Sequence, residues 1–443
     1  MNPQLRRPGV VALLAIATPC LAQYAGPSIL SRGEAPAALT STTVKFRPFI
    51  ELSARYDTGL AGIQLNDQGQ LAGRSEYGES VGWGISGSHQ WKRTSLGLTY
   101  RGTYTNYRAA SRFNSIDQSM MFSISRRIAR HMVLELNSAA GMYSRDFGLL
   151  GLPQSVPFDP ATTPIPTTDY LDNRTYYSTS QASLVIQKSA RLSFLMGGGL
   201  YLTRRHSAAL YGSTGASASG DMQYRLNRRT TVGGAYSYSH AFVKGGFGAM
   251  DAHQVSASFA RALSQRVEFS GFAGAARVET TFLRAIPIDP LIAAILGVST
   301  SYQLNHNITW LPTGAARLSW IFTRSVAFVS AAHTITPGNG LFLASEMTLY
   351  SAGYVYTGLR RWSFNTQVSA HDGKSIQNFQ GAKYRDVSAS FMVSRSLFAN
   401  IHWFTSYSVR QYESPTFGSY NRLIHQAAIG LGYSPGDVPL RVW

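Results

Sequence analysis

Stretches of this chain alternate apolar and polar residues with a period of two. Over 44–56 the even positions are Val44, Phe46, Pro48, Ile50, Leu52, Ala54 and Tyr56. The odd positions are Lys45, Arg47, Phe49, Glu51, Ser53 and Arg55. Successive side chains of a strand point to opposite faces, so this segment reads as a strand with one dry and one wet face. A soluble sandwich strand alternates in the same way, and one such segment decides nothing. The pattern returns, however, at 95–105, 132–145, 191–205, 214–226, 231–242, 361–371 and 399–410. Repetition over most of the chain predicts an all-β protein.

Eight short turns punctuate the strands, and each carries lysine or arginine. They centre on Lys92-Arg93, Arg126-Arg127, Lys188, Arg228-Arg229, Gln265-Arg266, Arg324, Arg360-Arg361 and Arg395. Most lie about 35 to 40 residues apart, room for two strands and one longer loop. Hairpins of long strands with short turns at one end and long loops at the other describe a transmembrane antiparallel β-barrel. Eight turns join strands two to seventeen. One strand precedes and one follows, which gives 18; sixteen is the alternative, because the strand at 117–125 is short. A propeller would show a recurring blade motif, and none recurs.

Pattern also locates the exceptions. Over 301–323 the apolar parity stays even across Pro312, so one long strand is expected, with the proline at a bulge or edge. Its neighbour at 266–283 is also long, and the pair should project outward. Residues 146–172 hold five prolines and form a loop that either enters the pore or covers the surface. In 284–300, Asp289-Pro290 begins a short apolar helix through Leu291, Ile292, Ile295 and Leu296. Residues 1–22 read as an export signal cleaved after Ala22, residues 23–43 as a periplasmic leader, 44–434 as the barrel and 435–443 as a periplasmic tail lying across the mouth.

Aromatics end the apolar faces: Trp83, Trp91, Tyr100, Tyr104, Tyr236, Tyr238, Tyr354, Tyr356, Trp362, Trp403 and Tyr433. Such residues form girdles where rings meet headgroups. The opposite face of the second strand carries Gly78, Ser80, Gly82, Gly84, Ser86 and Ser88, which leaves space in a lumen. No run of apolar residues is long enough for a spanning helix.

The only cysteine is Cys20, in the export signal, so a disulfide framework and cysteine-ligated metal are excluded. Formal net charge is +18, and +16 once Arg6 and Arg7 leave with the signal. A balance this basic suggests nucleic acid or an anionic surface. Its distribution decides for the surface. Fifteen basic residues occupy the turns: Lys92, Arg93, Arg126, Arg127, Arg130, Lys188, Arg191, Arg228, Arg229, Arg261, Arg266, Arg324, Arg360, Arg361 and Arg395. They would form a periplasmic rim facing anionic phospholipid, or docking an acidic export partner.

Parity places Lys45, Arg47, Arg55, Arg101, Arg145, Arg205, Arg225, Arg317 and Arg410 in the lumen, with Glu51, Asp117, Glu135, Asp221, Glu268 and Asp386. Nine against six is mildly basic. Such charges either select solutes or tie the wall together. No catalytic or phosphate-binding motif is present, and no cofactor or metal is expected. His240 falls on the lipid-facing parity, where a serine–histidine pair would make a lipid hydrolase; an interfacial histidine beside Tyr236 and Tyr238 is the simpler reading. His253, His333 and His371 fall near loop bases, where they line the mouth or bind metal.

With its export signal, alternating strands, aromatic girdles and cysteine-free mature chain, the sequence resembles outer-membrane porins. It looks most like the β-barrel porins associated with exopolysaccharide loci. That resemblance implies an 18-stranded channel in the bacterial outer membrane, with both termini periplasmic. It further implies outer-membrane lipids and the barrel-assembly machinery as partners, and a hydrophilic solute or polysaccharide in the lumen. A non-conducting adhesion or structural barrel is the alternative. One departure is that the last strand, 423–434, ends at Tyr433, yet the chain runs on through two prolines to Trp443. Either aromatic could be the assembly signal.

Overall fold

A computed structural model describes residues 44–60, 74–108, 113–143, 174–206, 212–244, 248–289, 300–337, 343–356, 359, 361–376, 383–398, 400–413, 422–435 and 438–440. The export signal with Ala22, the leader, the proline-rich loop, the helix expected after Asp289, Arg145, Arg360 and Trp443 lie outside these residues.

The described chain is one antiparallel sheet. Its strands are β1 (Val44–Leu60), β2 (Arg74–Gln90), β3 (Thr94–Tyr107), β4 (Ser115–Ala129), β5 (Met132–Tyr143) and β6 (Thr175–Gln187). They continue as β7 (Leu192–Arg205), β8 (Gly212–Asn227), β9 (Thr230–Lys244), β10 (Gly248–Ala262), β11 (Val267–Pro287) and β12 (Thr300–Ile321). The last are β13 (Ser325–Pro337), β14 (Ala344–Tyr356), β15 (Trp362–Ser375), β16 (Lys383–Ser396), β17 (Ile401–Glu413), β18 (Arg422–Tyr433) and the three-residue β19 (Val438–Leu440). Each strand pairs with the next. β18 returns to β1 from Ile50↔Tyr433 to Asp57↔Gln426, so eighteen strands close a barrel. Closure pairs the backbone of both edge strands, which an open sheet would leave exposed.

The expected strand at 117–125 proves to be 15 residues long, which removes the case for sixteen. Two turns shift as well. Arg126, Arg127 and Arg395 belong to strand ends, and the chain reverses at Arg130-His131 and after Ser396. The pattern misplaced them because ladder pairing continues past the last apolar residue. Local hydrogen bonds explain the turns. Ser189 Oγ accepts from the Arg191 and Leu192 amides at 3.2 and 3.0 Å, and Ser264 Oγ from Arg266 and Val267, both at 3.1 Å. Asn227 Oδ1 accepts from Arg229 N at 2.8 Å. Short polar side chains bonded to the backbone two or three residues on nucleate such turns. Arg361 takes a left-handed φ of 70° just before Trp362.

The tail does not simply lie across the mouth. Val438–Leu440 pairs antiparallel with Val44–Phe46, extending the seam below the end of β18.

β11 and β12 are the longest strands, 21 and 22 residues, and pair throughout as expected. Among the described residues, β12 pairs with β13 only from Gly314↔His333 to Ile321↔Val326. Pro312 sits just beyond that limit. A residue without an N–H cannot donate to a ladder, so proline at an edge follows from its chemistry. Above this point the wall divides. The outward parity of β13 and β14 is that of Val329 and Tyr350, both half exposed. Ile335 and Ala344 share that parity, yet pack against inward residues of β9, β10 and β11, namely Ala241, Met250, Ala252, Ala276 and Val278. The tops of β13 and β14 are therefore folded inside the wall that β9–β12 continue.

The glycine row of β2 does not leave open lumen, contrary to expectation. A Cβ on Gly78 would lie 2.8 Å from Tyr107 Cδ1, and one on Gly84 2.5 Å from Phe49 Cζ. Rings from neighbouring strands lie flat over these positions. Gly141 is covered by Tyr177, Gly353 by Phe328 and Gly430 by Phe404. We predict that Gly84→Val lowers stability by about 1–3 kcal/mol through overpacking, measured as the urea midpoint of the folded barrel. Gly220, with nothing within 4 Å of its Cβ position, should accept valine with little change. Equal loss at both positions would overturn the packing argument.

Candidate functional site in the barrel lumen

The inward face of most strands carries small hydroxyl residues, and several bond across the ladder. Ser53–Ser80 and Ser330–Ser351 are each 2.6 Å, Ser369–Ser388 is 2.8 Å and Ser363–Ser394 is 2.5 Å. Cross-strand pairs on one face are the unit of sheet stabilisation, and these also present oxygen to the lumen.

Four of the charges on the inward parity are joined in two ion pairs. Arg101 Nη2 donates to Glu51 Oε2 at 2.6 Å, with its guanidinium 5.7 Å from the Phe49 ring centre. His402 Nε2 stands 4.0 Å from the other Glu51 oxygen. Opposite ends of the sequence thus converge on one carboxylate. Arg410 holds Asp386 by Nε at 3.0 Å to both oxygens and by Nη2 at 2.6 Å, and Asp386 is 2% exposed. His371 Nδ1 lies 3.8 Å from that carboxylate. It faces inward within β15, so it is part of this cluster rather than of a loop base. Arg55 is set among Tyr107, Arg101, Asp117 and Asp57.

Arg317 Nε donates to Ser319 Oγ at 3.3 Å, its guanidinium 4.1 Å from the Phe328 ring centre. Asp221 accepts from Gln223 Nε2 at 3.3 Å. Arg47, Arg205, Arg225, Glu135 and Glu268 keep their inward parity and each has an interaction partner. Of Lys45 only the backbone is described, paired with Ser88 and Pro439.

Two acids were missed. Asp57 is 3% exposed and accepts from Tyr107 Oη at 3.3 Å, Gln426 Nε2 at 3.0 Å and its own loop's Gly59 N at 2.6 Å. Glu76 stands opposite it on β2. Extending the parity of the first strand by one residue would have found Asp57. With both added, the inward positions with described side chains include seven arginines (47, 55, 101, 205, 225, 317, 410) and eight carboxylates (51, 57, 76, 117, 135, 221, 268, 386). Lys45, Arg74, Arg284 and Arg422 share that parity by register alone.

The basic residues of the turns and adjoining strand ends lie at one end of the barrel. Lys92, Arg93, Arg126, Lys188, Arg228, Arg229, Arg324, Arg361 and Arg395 are exposed at the short-turn end, and Arg127 is half-buried. Arg395 also covers the Trp362 ring at 4.9 Å.

On the outer wall, His240 Nδ1 bonds Asp251 Oδ1 at 2.9 Å, and Tyr238 Oη donates to the same oxygen at 2.6 Å. Ser237 and Ser239, its neighbours along β9, carry the inward parity. The partner of this histidine is thus a carboxylate, where the hydrolase reading needs a serine hydroxyl. His253 bonds Tyr236 Oη at 2.8 Å, and His333 bonds Glu346 at 3.0 Å and Thr348 at 2.8 Å. His306 and Arg277 share Glu279 at 3.2 and 3.0 Å. These groups make a polar belt on the outer face of β9–β14. Among the described residues no three His, Cys, Asp or Glu side chains converge as a metal site requires.

No protein-family model and no curated protein sequence matches the chain. Solved structures of similar shape include Pseudomonas aeruginosa OpdQ, at 9% identity and TM-score 0.41, covering 90% of this chain and 98% of that one. Pseudomonas aeruginosa OccK2 (OpdF) in complex with glucuronate is similar at 11% identity and TM-score 0.42, covering 89% and 98%. Acinetobacter baumannii OccAB2 is similar at 10% identity and TM-score 0.41, covering 88% and 98%. Likeness at this level says nothing of what this chain carries.

We predict that Asp386→Asn lowers stability by about 3–5 kcal/mol, because it leaves the Arg410 charge buried without its partner. The double variant Asp386→Asn, Arg410→Met should recover most of the loss in the same urea titration. A single variant as stable as the parent would show that the pair does not hold the wall.

Proposed function

We propose that the protein is a channel of the bacterial outer membrane for hydrophilic, largely uncharged solutes. The observation that carries this reading is the contrast between the two faces of one closed wall. Outward residues of β12 from Trp310 to Trp320 are Trp, Pro, Gly, Ala, Leu and Trp. Ten residues at about 3.3 Å, tilted about 45°, rise about 23 Å, close to the roughly 25 Å apolar band of an outer-membrane barrel. A tryptophan stands at each limit, and the Arg277–Glu279–His306 belt begins at the upper one. Only helices and closed barrels satisfy every backbone polar group in hydrocarbon. Barrels of 16 to 18 strands enclose an aqueous path.

The inner face speaks to the cargo. Charges that bind each other, as Arg101 binds Glu51 and Arg410 binds Asp386, project little field into the lumen, and in this reading selection between ions is weak. Hydroxyl and amide groups remain, which suit a carbohydrate chain, and exported polysaccharide is the substrate class to test first. In this reading the short turns face the periplasm, where their cations meet anionic lipid headgroups or an acidic export partner. A second reading, a non-conducting surface barrel, is favoured by one observation, the apolar contact inside the long-loop end. Barrel-assembly machinery would be a partner in either case.

Planar-bilayer recording checks the first reading. Expected is a conducting barrel whose anion-to-cation permeability ratio stays within about threefold, since ring charges set selectivity. Neutral oligosaccharide should block it reversibly. A strong anion preference would overturn the neutral-lumen reading, and absence of conductance in every variant described below would favour the structural barrel.

A further inference from the structure

We propose that the tops of β13, β14 and β15 form a gate, closed here by apolar contact with the inner wall of β9–β11. It opens by swinging outward to the unpaired length of β12. The proposal rests on the channel reading, and its test separates the two.

The closed contact is visible in burial. Inward residues of a wide lumen meet water unless something covers them. Met250 and Ala276 are 1% exposed and Val278 is 0%. Their cover is Ile335, Ala344 and Ile376, all packed against this cluster. Ile376 is tied to β14 through its amide, which donates to Ala344 O at 3.1 Å, so the three tops form one unit. Leu343 seals the upper end against Val243 and Phe282, and its Cδ2 would stand 2.9 Å from a Cβ on Gly248. The sidedness of these residues is the second observation. Ile335 and Ala344 carry the parity of the outer wall, so the face that would look outward in a plain barrel is the face that packs.

A destination exists for the moving part. The β12–β13 register ends at Gly314↔His333. Continued by arithmetic, it sets Thr334 opposite Thr313, Ile335 opposite Pro312 and Thr336 opposite Leu311. Among the described residues the edge of β12 above Gly314 has no pairing with β13, and receiving β13 there would return Ile335 to the outer face and clear the lumen. Pro312 offers no N–H there, which keeps the open ladder weak and the movement reversible. The base of β13 stays on the wall through the Gly314↔His333 pair, and His333 and Glu346, joined at 3.0 Å, hold β13 and β14 together there. Apolar contact without directional bonds is suited to closing and reopening.

The test uses the full chain with Cys20→Ser, so that introduced thiols stand alone. A charged, water-soluble methanethiosulfonate should label Met250→Cys at least about tenfold more slowly than Ser264→Cys in the exposed turn, as expected of a site that reacts only when opened. Adding Leu343→Asp, or the milder Leu343→Ser, should raise the rate at Met250→Cys about tenfold. Heat-modifiable gel migration confirms that each variant is folded. Fast labelling of Met250→Cys in the parent, or no response to either Leu343 variant, overturns the gate.

The pair Gly248→Cys, Leu343→Cys supplies the second readout. When it is oxidised, bilayer conductance should fall several-fold, and reduction should restore it. Equal conductance in both redox forms, with the disulfide verified, overturns the gate and leaves the channel standing. Labelling that responds while no form conducts supports the moving part and overturns the channel.

Discussion

In the channel reading, every peptide group in the wall needs a hydrogen-bond partner that is not water, and the rest of this molecule follows from that demand. A sheet meets it only by having no edge. The ladder between β1 and β18 is therefore not one pairing among many, because it satisfies the rows that would otherwise face hydrocarbon. Side chains reinforce the same seam. Gln426 donates to Asp57, Ser434 Oγ donates to Pro48 O at 3.0 Å, and the His425 amide donates to Thr58 Oγ1 at 2.8 Å. β19 lengthens the seam by pairing with the foot of β1. Among the described residues the β12–β13 ladder ends at Gly314, and there β12 is left to its pairing with β11.

Closure also sets what the lumen can contain. Side chains from eighteen strands converge on one space, and charges there are partly desolvated. An arginine in such a place is tolerable when a carboxylate lies within reach. Arg101 on β3 with Glu51 on β1, and Arg410 on β17 with Asp386 on the adjacent β16, meet that condition.

Strand number, parity and the long β11–β12 hairpin were legible because a period of two is a local signal and each turn repeats its own chemistry. Pro312 was legible too, since proline carries its consequence on itself. The tail's return to β1 was not, because three residues give no period. Nor was the pairing of the lumen charges: parity assigns Arg410 and Asp386 to a face but not to each other. The empty look of Gly78, Gly82 and Gly84 misled for the same reason. A glycine shows that room exists, and only the neighbouring strand shows that Tyr107, Glu51 or Phe49 fills it. The inward turn of Ile335 and Ala344 was hidden most deeply, since their parity along the chain is unbroken and only the end of a ladder reverses its meaning.

The rings laid over glycines have a consequence for how this barrel can change over generations. Phe49 with Gly84, Tyr201 with Gly215, Tyr384 with Gly373 and His402 with Gly432 are each one fitted joint made by two adjacent strands. Enlarging the glycine alone creates a clash, and shrinking the ring alone leaves a void. The two positions should therefore drift as couples. In relatives of this chain, a lost ring should coincide with a gained side chain one strand away, so the wall's strand register would be written in paired exchanges even where single positions had diverged past recognition.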